Sequence, residues 1–173
     1  MEKIKTGLAA FGMSGQIFHA PFISTNPAFC LTAITERNKN LSKERYPSAR
    51  IVRSFEELVA LDELELVVIN TPDSTHYEYT RKALEAGKNV VTANKDLIAA
   101  DGHILLDTAA KNKKDFLHEA AVAGGIPIIR PIKQCLAGNH ISEVMGIVNG
   151  TTNFILTKMS QEGMEFKDAL ALA

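Results

Sequence analysis

The chain has 173 residues, 46% of them hydrophobic, which is enough for the core of one domain with a modest appendage. Its 19 basic and 20 acidic residues leave a formal net charge of -1, which argues against a nucleic-acid-binding surface and a polybasic membrane anchor. No apolar run reaches the roughly 20 residues of a bilayer crossing, and the N-terminus shows no secretory signal. We therefore expect a cytoplasmic protein whose partners are small molecules or other protein chains.

Short β-branched runs alternate with segments of helical spacing from the N-terminus to about Lys114. The expected strands are "IKTGLAAF", "LTAIT", "RIV", "ELVVINT" and "KNVVT". This alternation is typical of right-handed βαβ units. It predicts an α/β fold, a Rossmann-type doubly wound parallel sheet with helices on both faces.

The glycine-containing stretch "AFGMSG" follows the first expected strand and opens the first helix. This is the context of a dinucleotide fingerprint, although Ala10 stands where the pattern has its first glycine. Gly12 would let the backbone approach a pyrophosphate, and Gly15 would let helix and strand pack closely. The amides at the helix start, including those of Met13 and Ser14, would receive the phosphate charge. The alternative is an ordinary tight turn.

The second expected strand ends in Glu36, about 20 residues after the glycine turn, where an acidic side chain can hold ribose hydroxyls. This pairing favours dinucleotide binding. Arg37 follows directly and could meet the 2'-phosphate of NADP. The sequence therefore predicts NAD or NADP as cofactor, with a mild preference for NAD.

Two helices are predicted beyond the third strand. In "STHYEYTRKALEAG", Ser74 is the expected N-cap and Gly87 the stop. "KDLIAADGHILLDTAAKNKK" should form one helix that Gly102 interrupts.

The two cysteines, Cys30 and Cys135, lie apart in apolar surroundings, so we expect buried, inert thiols.

After Lys114 the pattern changes to an incomplete α+β segment. Pro127 should begin a helix that ends at Gly138, "HISEVMGIV" should form a strand, and "NGTTNFILTKMS" and "MEFKDALALA" should form helices. An unpaired strand edge favours self-association, which suggests a homodimer through this C-terminal sheet. The predicted domains are residues 1–118 and 119–173.

Residues 1 to about 91 resemble the N-terminal domain of the Gfo/Idh/MocA oxidoreductases, through "GLAAFGMSGQIFHAPFI" and "SFEELVALDELELVVINTPDSTHYEYTRKALEAGKNVV". The resemblance implies NAD(P)-dependent chemistry on sugars or cyclitols. It also implies that the turn of Asn70, Thr71 and Pro72, followed by His76, lies against the nicotinamide. From the sequence alone, His76 could equally be an exposed residue in the first turn of its helix. The family's Glu-Lys-Pro triplet is replaced here by "TANK".

From about residue 83 onward the chain resembles homoserine dehydrogenase, through "ALEAGKNVVTANKDLIA" and "HEAAVAGGIPIIRPIKQCLAGNHISEVMGIVNGTTNFILTKMSQEG". The resemblance implies that Lys95 is a catalytic residue beside substrate and nicotinamide, where an ammonium can handle a proton and stabilise oxygen charge. A solvated lysine at a helix start is the alternative. The resemblance further places Gly150 and Thr151 at the substrate, where the alternative is a turn and helix cap.

The same resemblance implies a sodium site in "EAAVAGGIP". Its ligands would be Glu119, Val122, Gly124 and Ile126, mostly through main-chain oxygens, which suit a hard cation. A glycine turn with a locally paired glutamate is the alternative.

The leading hypothesis is an NAD(P)-dependent oxidoreductase of homoserine dehydrogenase type, acting on aspartate semialdehyde or homoserine. We expect it to be truncated, because the family continues with an acidic substrate loop and a second lysine beyond the position of Ala173. The alternatives are a nucleotide-binding fragment or chimera without useful catalysis, and a sugar or cyclitol dehydrogenase of the Gfo/Idh/MocA type.

Overall fold

The structure, a computed structural model, describes residues 2–173. The chain divides into two compact units, one ending at Ile129 and the other running from Arg130 to Ala173. The boundary expected after residue 118 stays a prediction. Within the described residues, no helix is long and apolar enough to cross a membrane.

The described part of the first unit holds one six-stranded sheet. Its strands are β1 Ile4–Leu8, β2 Phe29–Thr35, β3 Arg50–Val52, β4 Leu66–Val68, β5 Asn89–Val91 and β6 Phe116–Leu117. All neighbouring strands pair in parallel, in the order β3-β2-β1-β4-β5-β6. The predicted parallel Rossmann sheet is therefore confirmed, and β6 is a strand that the sequence pattern missed.

Helices connect these strands. They are α1 Ala20–Thr25, α2 Ser42–Arg45, α3 Phe55–Val59, α4 Asp73–Glu85 and α5 Lys95–Asn112, and a π-helical turn, Gly15–His19, leads into α1. The long helix expected around Gly102 is confirmed as α5. Gly87 follows α4 with a φ of 75°, which confirms it as the stop. The expected N-cap at Ser74 is wrong, because α4 starts two residues ahead of the expected position, directly after Pro72.

The two faces of the sheet bury separate clusters, as the alternation of side chains along a strand requires. Ala9, Val67 and Val90 pack with residues of α3, α4 and α5. On the other face, Leu8 and Ile34 pack with Ala20 at the start of α1. This second face is covered only over part of its width, since Leu117 of β6 is 56% exposed.

The second unit contains a short helical segment, Pro131–Cys135, and two helices, α6 Gly150–Glu162 and α7 Phe166–Leu172. Both helices were expected from the sequence. The helix expected from Pro127 starts two residues later, since helical backbone begins at Ile129 and the amides of Ile128 and Ile129 donate to Glu119.

Two further expectations are wrong. Residues 140–149 form no strand, because no described strand lies alongside to complete a hydrogen-bond ladder. Both cysteines are exposed rather than buried. Cys30 lies near the start of β2, ahead of the buried part of that strand, and Cys135 belongs to a unit in which only Ile155 and Ala169 of the described residues are buried hydrophobics.

Candidate functional site

The crossover connections diverge between β1 and β4, which are neighbours in the sheet. A crevice at the carboxyl ends of strands is expected at such a switch point. Asn70, just past β4, spans it with two hydrogen bonds to Ala10. Its Oδ1 accepts from the Ala10 amide at 3.0 Å, and its Nδ2 donates to the Ala10 carbonyl at 2.9 Å. Asn70 thus ties the turn after β4 to the glycine turn after β1.

The two glycines of the turn have different surroundings. A Cβ on Gly15 would lie 2.5 Å from the Ala10 carbonyl oxygen and 3.2 Å from Nδ2 of Asn70, so no side chain fits there. A Cβ on Gly12 would meet nothing within 4 Å. Gly15 is therefore needed for packing, whereas Gly12 keeps its space open at the mouth of the crevice.

A first cavity of about 570 Å³ opens beside β1 and β2. Of the predicted cofactor residues, its lining includes Ala10, Gly12, Glu36, Arg37, Thr71 and Pro72. Gly15 lies buried beneath the turn, and Met13 is 75% exposed outside this lining.

Glu36 is buried at the wall of the first cavity. Its Oε2 accepts from the amide of Leu41 at 2.9 Å, and its Oε1 accepts from the amide of Ser42 at 2.9 Å and from the Ser42 hydroxyl. These donors satisfy a buried carboxylate that would otherwise be costly. Because each carboxylate oxygen can accept more than one bond, Oε2 retains acceptor capacity toward the cavity.

Arg53 fixes the segment that carries the predicted ribose-binding residues. Its Nη1 donates to the carbonyls of Glu36, at 2.9 Å, and Lys39, at 2.7 Å, while Nη2 donates to Oδ1 of Asn40 at 2.7 Å. The sequence pattern gave no indication of this role, because Arg53 follows β3 and lies 17 residues from Glu36 along the chain.

A second cavity of about 930 Å³ lies on the other side of the switch point. Its polar lining includes Ser14, Asn70, Thr71, His76 and Asn94. Much of the remaining wall is apolar, from α1 and from β4, β5 and β6. His19 also lines this cavity, and burial lowers the pKa of its imidazole.

His76 is buried, at 8% exposure, so the alternative of an exposed histidine is wrong. Its Nε2 contacts the carbonyl of Thr71, and its Nδ1 lies 2.7 Å from Nδ2 of Asn94. Asn94 also caps α5, since its Oδ1 accepts from the amide of Leu97 at 2.8 Å. Asn94 was not predicted as a site residue, although asparagine just before a helix is a recognisable cap signal.

Lys95 is the first residue of α5 and is exposed. Its neighbour Asn94 lines the second cavity, whereas Lys95 is not part of that lining. A cation at a helix N-terminus opposes the helix dipole, so helix stability does not account for a lysine at this position.

The predicted sodium ligands lie in a loop closed by Glu119. Oε1 of this residue accepts from the amides of Ile128, at 2.6 Å, and Ile129, at 3.0 Å. The loop turns through left-handed backbone at Ala123 and Gly124, and Val122, Gly124 and Ile126 are exposed. Within residues 2–173, no group of three His, Cys, Asp or Glu side chains is arranged to hold a metal ion.

The predicted substrate residues, Gly150 and Thr151, belong to the second unit. They form the start of α6, where Oδ1 of Asn149 accepts from the amide of Thr152 at 2.8 Å. The helix cap that was the alternative for this segment is thus present, and it is provided by Asn149.

A parallel sheet in this strand order, with a glycine turn and cavities on both sides of the switch point, defines a dinucleotide-binding protein of Rossmann type. The chain belongs to the oxidoreductase family with an NAD-binding Rossmann fold, whose family model matches residues 4–118. The homoserine dehydrogenase family model matches residues 127–173.

Similar proteins include homoserine dehydrogenases. That of Neisseria gonorrhoeae is 40% identical over 81% of this chain and 32% of its own length, and that of Corynebacterium glutamicum is 49% identical over 68% and 27%. The chain thus spans about a third or less of these relatives.

Two kinds of solved structure are similar to this chain, a homoserine dehydrogenase and an oxidoreductase. The homoserine dehydrogenase of Thiobacillus denitrificans has a TM-score of 0.75 and 31% identity over 99% of this chain and 42% of that one. A Bacteroides fragilis protein described as an oxidoreductase has a TM-score of 0.64 and 60% identity over 67% of this chain and 36% of its own.

Proposed function

We propose that this chain binds a nicotinamide dinucleotide and belongs to an oxidoreductase of homoserine dehydrogenase type, which transfers hydride between the cofactor and aspartate semialdehyde or homoserine. The observation that carries the proposal is the glycine turn, held by Asn70 and flanked by a cavity on each side. The similarity of residues 127–173 to homoserine dehydrogenase supports the choice of substrate.

In this proposal the dinucleotide crosses the switch point. The amides of Gly12, Met13 and Ser14 receive the pyrophosphate, since peptide N–H groups at a helix start attract anions. The adenosine ribose lies in the first cavity. The nicotinamide ring, which supplies or takes the hydride, lies in the second cavity beside Asn70, Thr71 and His76, with Pro72 in the same turn.

We favour NAD over NADP. Glu36 presents a carboxylate at the wall of the first cavity, which suits ribose hydroxyls and repels a 2'-phosphate. Arg37 is the opposing influence, because it lies on the same wall and can pair with phosphate. Arg53 contributes less to this choice, since its guanidinium is engaged by the Glu36, Lys39 and Asn40 acceptors.

Lys95 is proposed as the group that handles the proton and stabilises developing oxygen charge. Gly150 and Thr151 are proposed to contact the substrate. A sodium ion is proposed in the loop after β6, with the carboxylate of Glu119 and the carbonyls of Val122, Gly124 and Ile126 as the oxygen donors that a hard cation prefers.

Calorimetry with NAD and with NADP tests the binding step. Heat from at least one of them is expected, and none from either at millimolar concentration contradicts the proposal. Turnover of homoserine should then be compared between wild type and Lys95→Ala. A large loss of turnover is expected in the variant, and equal activity in both proteins removes the role of Lys95.

A second candidate is dinucleotide binding without catalysis by this chain. The exposure of Lys95, outside the lining of the second cavity, favours it. Cofactor binding without dehydrogenation of homoserine or any sugar or cyclitol tested would support this candidate over the first.

A further inference from the structure

We infer that His76 is a positioning residue, which joins the turn after β4 to Asn94 at the start of α5 and so positions the wall of the second cavity directly before Lys95. This inference rests on the proposed function. His76 contacts both elements. One ring nitrogen meets the backbone carbonyl of Thr71, and the other meets the side-chain amide of Asn94.

The neighbours of the imidazole determine which nitrogen carries its proton. The Thr71 carbonyl can only accept, so Nε2 of His76 must donate. Nδ2 of Asn94 can only donate, so Nδ1 of His76 must accept. The ring is therefore neutral and protonated at Nε2, with both nitrogens used inside the protein.

The orientation of the Asn94 amide is fixed independently. Its Oδ1 accepts from the Leu97 amide, which places Nδ2 on the side of His76 and of Asp73. Nδ2 also donates to Oδ1 of Asp73 at 2.6 Å. Both hydrogens of the amide are thus engaged, and turning the group around would remove the cap of α5.

The residues that make these contacts all belong to the lining of one cavity. Thr71, Asp73, His76 and Asn94 all line the second cavity, and Lys95 follows Asn94 directly in the chain. Since its nitrogens are occupied, His76 acts through the elements it joins rather than by exchanging a proton with a ligand. Replacing His76 should therefore weaken binding at the proposed nicotinamide end of the site and leave binding at the adenosine end unchanged.

The contact is tested by nitrogen NMR of histidine-labelled protein. An unprotonated Nδ1 and a protonated Nε2 are expected for His76, whose signals are assigned by their loss in His76→Phe. Asn94→Asp keeps an acceptor for Leu97 but presents an acceptor to Nδ1, so His76 should gain a proton there. A protonated Nδ1 in the wild type would overturn the inference.

The positioning role is tested by calorimetry with NAD and with ADP-ribose, which lacks the nicotinamide ring. His76→Phe should weaken NAD binding by about threefold to tenfold, the range of one lost hydrogen bond, and leave ADP-ribose binding unchanged. His76→Gln, which can still donate to Thr71, should recover part of the loss and also serves if the phenylalanine variant does not fold. His103→Phe, an exposed position on α5, is the matched control.

Equal weakening of both ligands would mean a general structural role and would overturn the inference. If the wild type binds neither ligand nor NADP, the proposed function fails and the positioning role fails with it. The NMR result still reports in that case whether the contact itself is correct.

Discussion

At the scale of single residues, the glycine turn offers a matched pair of substitutions. Gly15→Ala should lower the free energy of unfolding by about 1–3 kcal/mol, because the new methyl group meets the Ala10 carbonyl. Gly12→Ala should change it by less than about 0.5 kcal/mol, since nothing lies within 4 Å and its φ is not left-handed. The Gly12→Ala substitution should nevertheless weaken NAD binding. Urea unfolding and calorimetry measure the two effects, and undiminished NAD binding by Gly12→Ala would contradict the assignment of the turn.

In the proposed function, the preference for NAD over NADP depends on Glu36 and Arg37. Arg37→Ala should weaken NADP binding more than NAD binding, because the proposed partner of the 2'-phosphate is removed. Glu36→Ala should reduce the preference for NAD. It should also destabilise the fold by about 1–3 kcal/mol, since the amides of Leu41 and Ser42 lose their acceptor. Calorimetric affinities for both cofactors test this, with the exposed Arg50→Ala as control, and an unchanged affinity ratio in both variants would remove these roles.

Lys88 should make stability depend on pH in the alkaline range. Its side chain is buried and Nζ donates to the Leu61 carbonyl at 2.6 Å. Burial lowers the pKa of Lys88, partly offset by the charges of Asp62 and Glu63. Between this lowered pKa and the ordinary value near 10.5, the unfolded chain binds more protons than the folded one, so stability should rise with pH across that window.

Urea unfolding of wild type and Lys88→Met between pH 7 and the alkaline limit of folding tests this linkage. The wild type should gain stability as pH rises, and the variant should show a flatter profile. Parallel profiles would show that Lys88 does not titrate differently in the folded and unfolded states.

At the scale of elements, α3 is short and depends on its N-cap. The hydroxyl of Ser54 accepts from the amide of Glu57 at 3.1 Å, and the Glu57 carboxylate accepts from the amide of Arg53 at 2.9 Å. This is close to a capping box. The helix presents Phe55, which stacks on Tyr79 at 3.9 Å between ring centroids, and both aromatic residues line the first cavity.

Ser54→Ala should therefore cost about 1 kcal/mol of unfolding free energy, the usual value for a lost N-cap. Ser54→Asp should retain most of the stability because aspartate caps equally well. Urea titration of the three proteins distinguishes a lost cap from a general effect of substitution, which would destabilise both variants alike.

At the scale of the whole molecule, the second unit leaves much apolar surface uncovered. Val144, Met145, Ile147 and Val148 are between 75% and 99% exposed. We propose that this segment pairs with the same segment of a second copy, because an exposed apolar segment outside any sheet favours such association. Light scattering should give a mass that rises with concentration toward a dimer. Val148→Lys should shift the equilibrium toward monomer, whereas Asn139→Lys, which adds the same charge outside the segment, should not. A wild type that stays monomeric would contradict the proposal.

The sequence by itself determined the features that depend on near neighbours. The order of the first five strands, the glycine turn from Ala10 to Gly15, the stop at Gly87 and the helix around Gly102 follow from local periodicity and cap residues. Family resemblance added the oxidoreductase family with an NAD-binding Rossmann fold, which the family model for residues 4–118 confirms.

The tertiary structure decided which distant residues meet. Asn70 and Ala10 are 60 residues apart, and His76 and Asn94 are 18 apart, so no local pattern could pair them. The expected strand at residues 140–148 has suitable composition but lacks a neighbour, and strand formation requires one. Burial is equally nonlocal, since it depends on what packs above a residue, and so the sequence misjudged the exposure of Cys30 and Cys135.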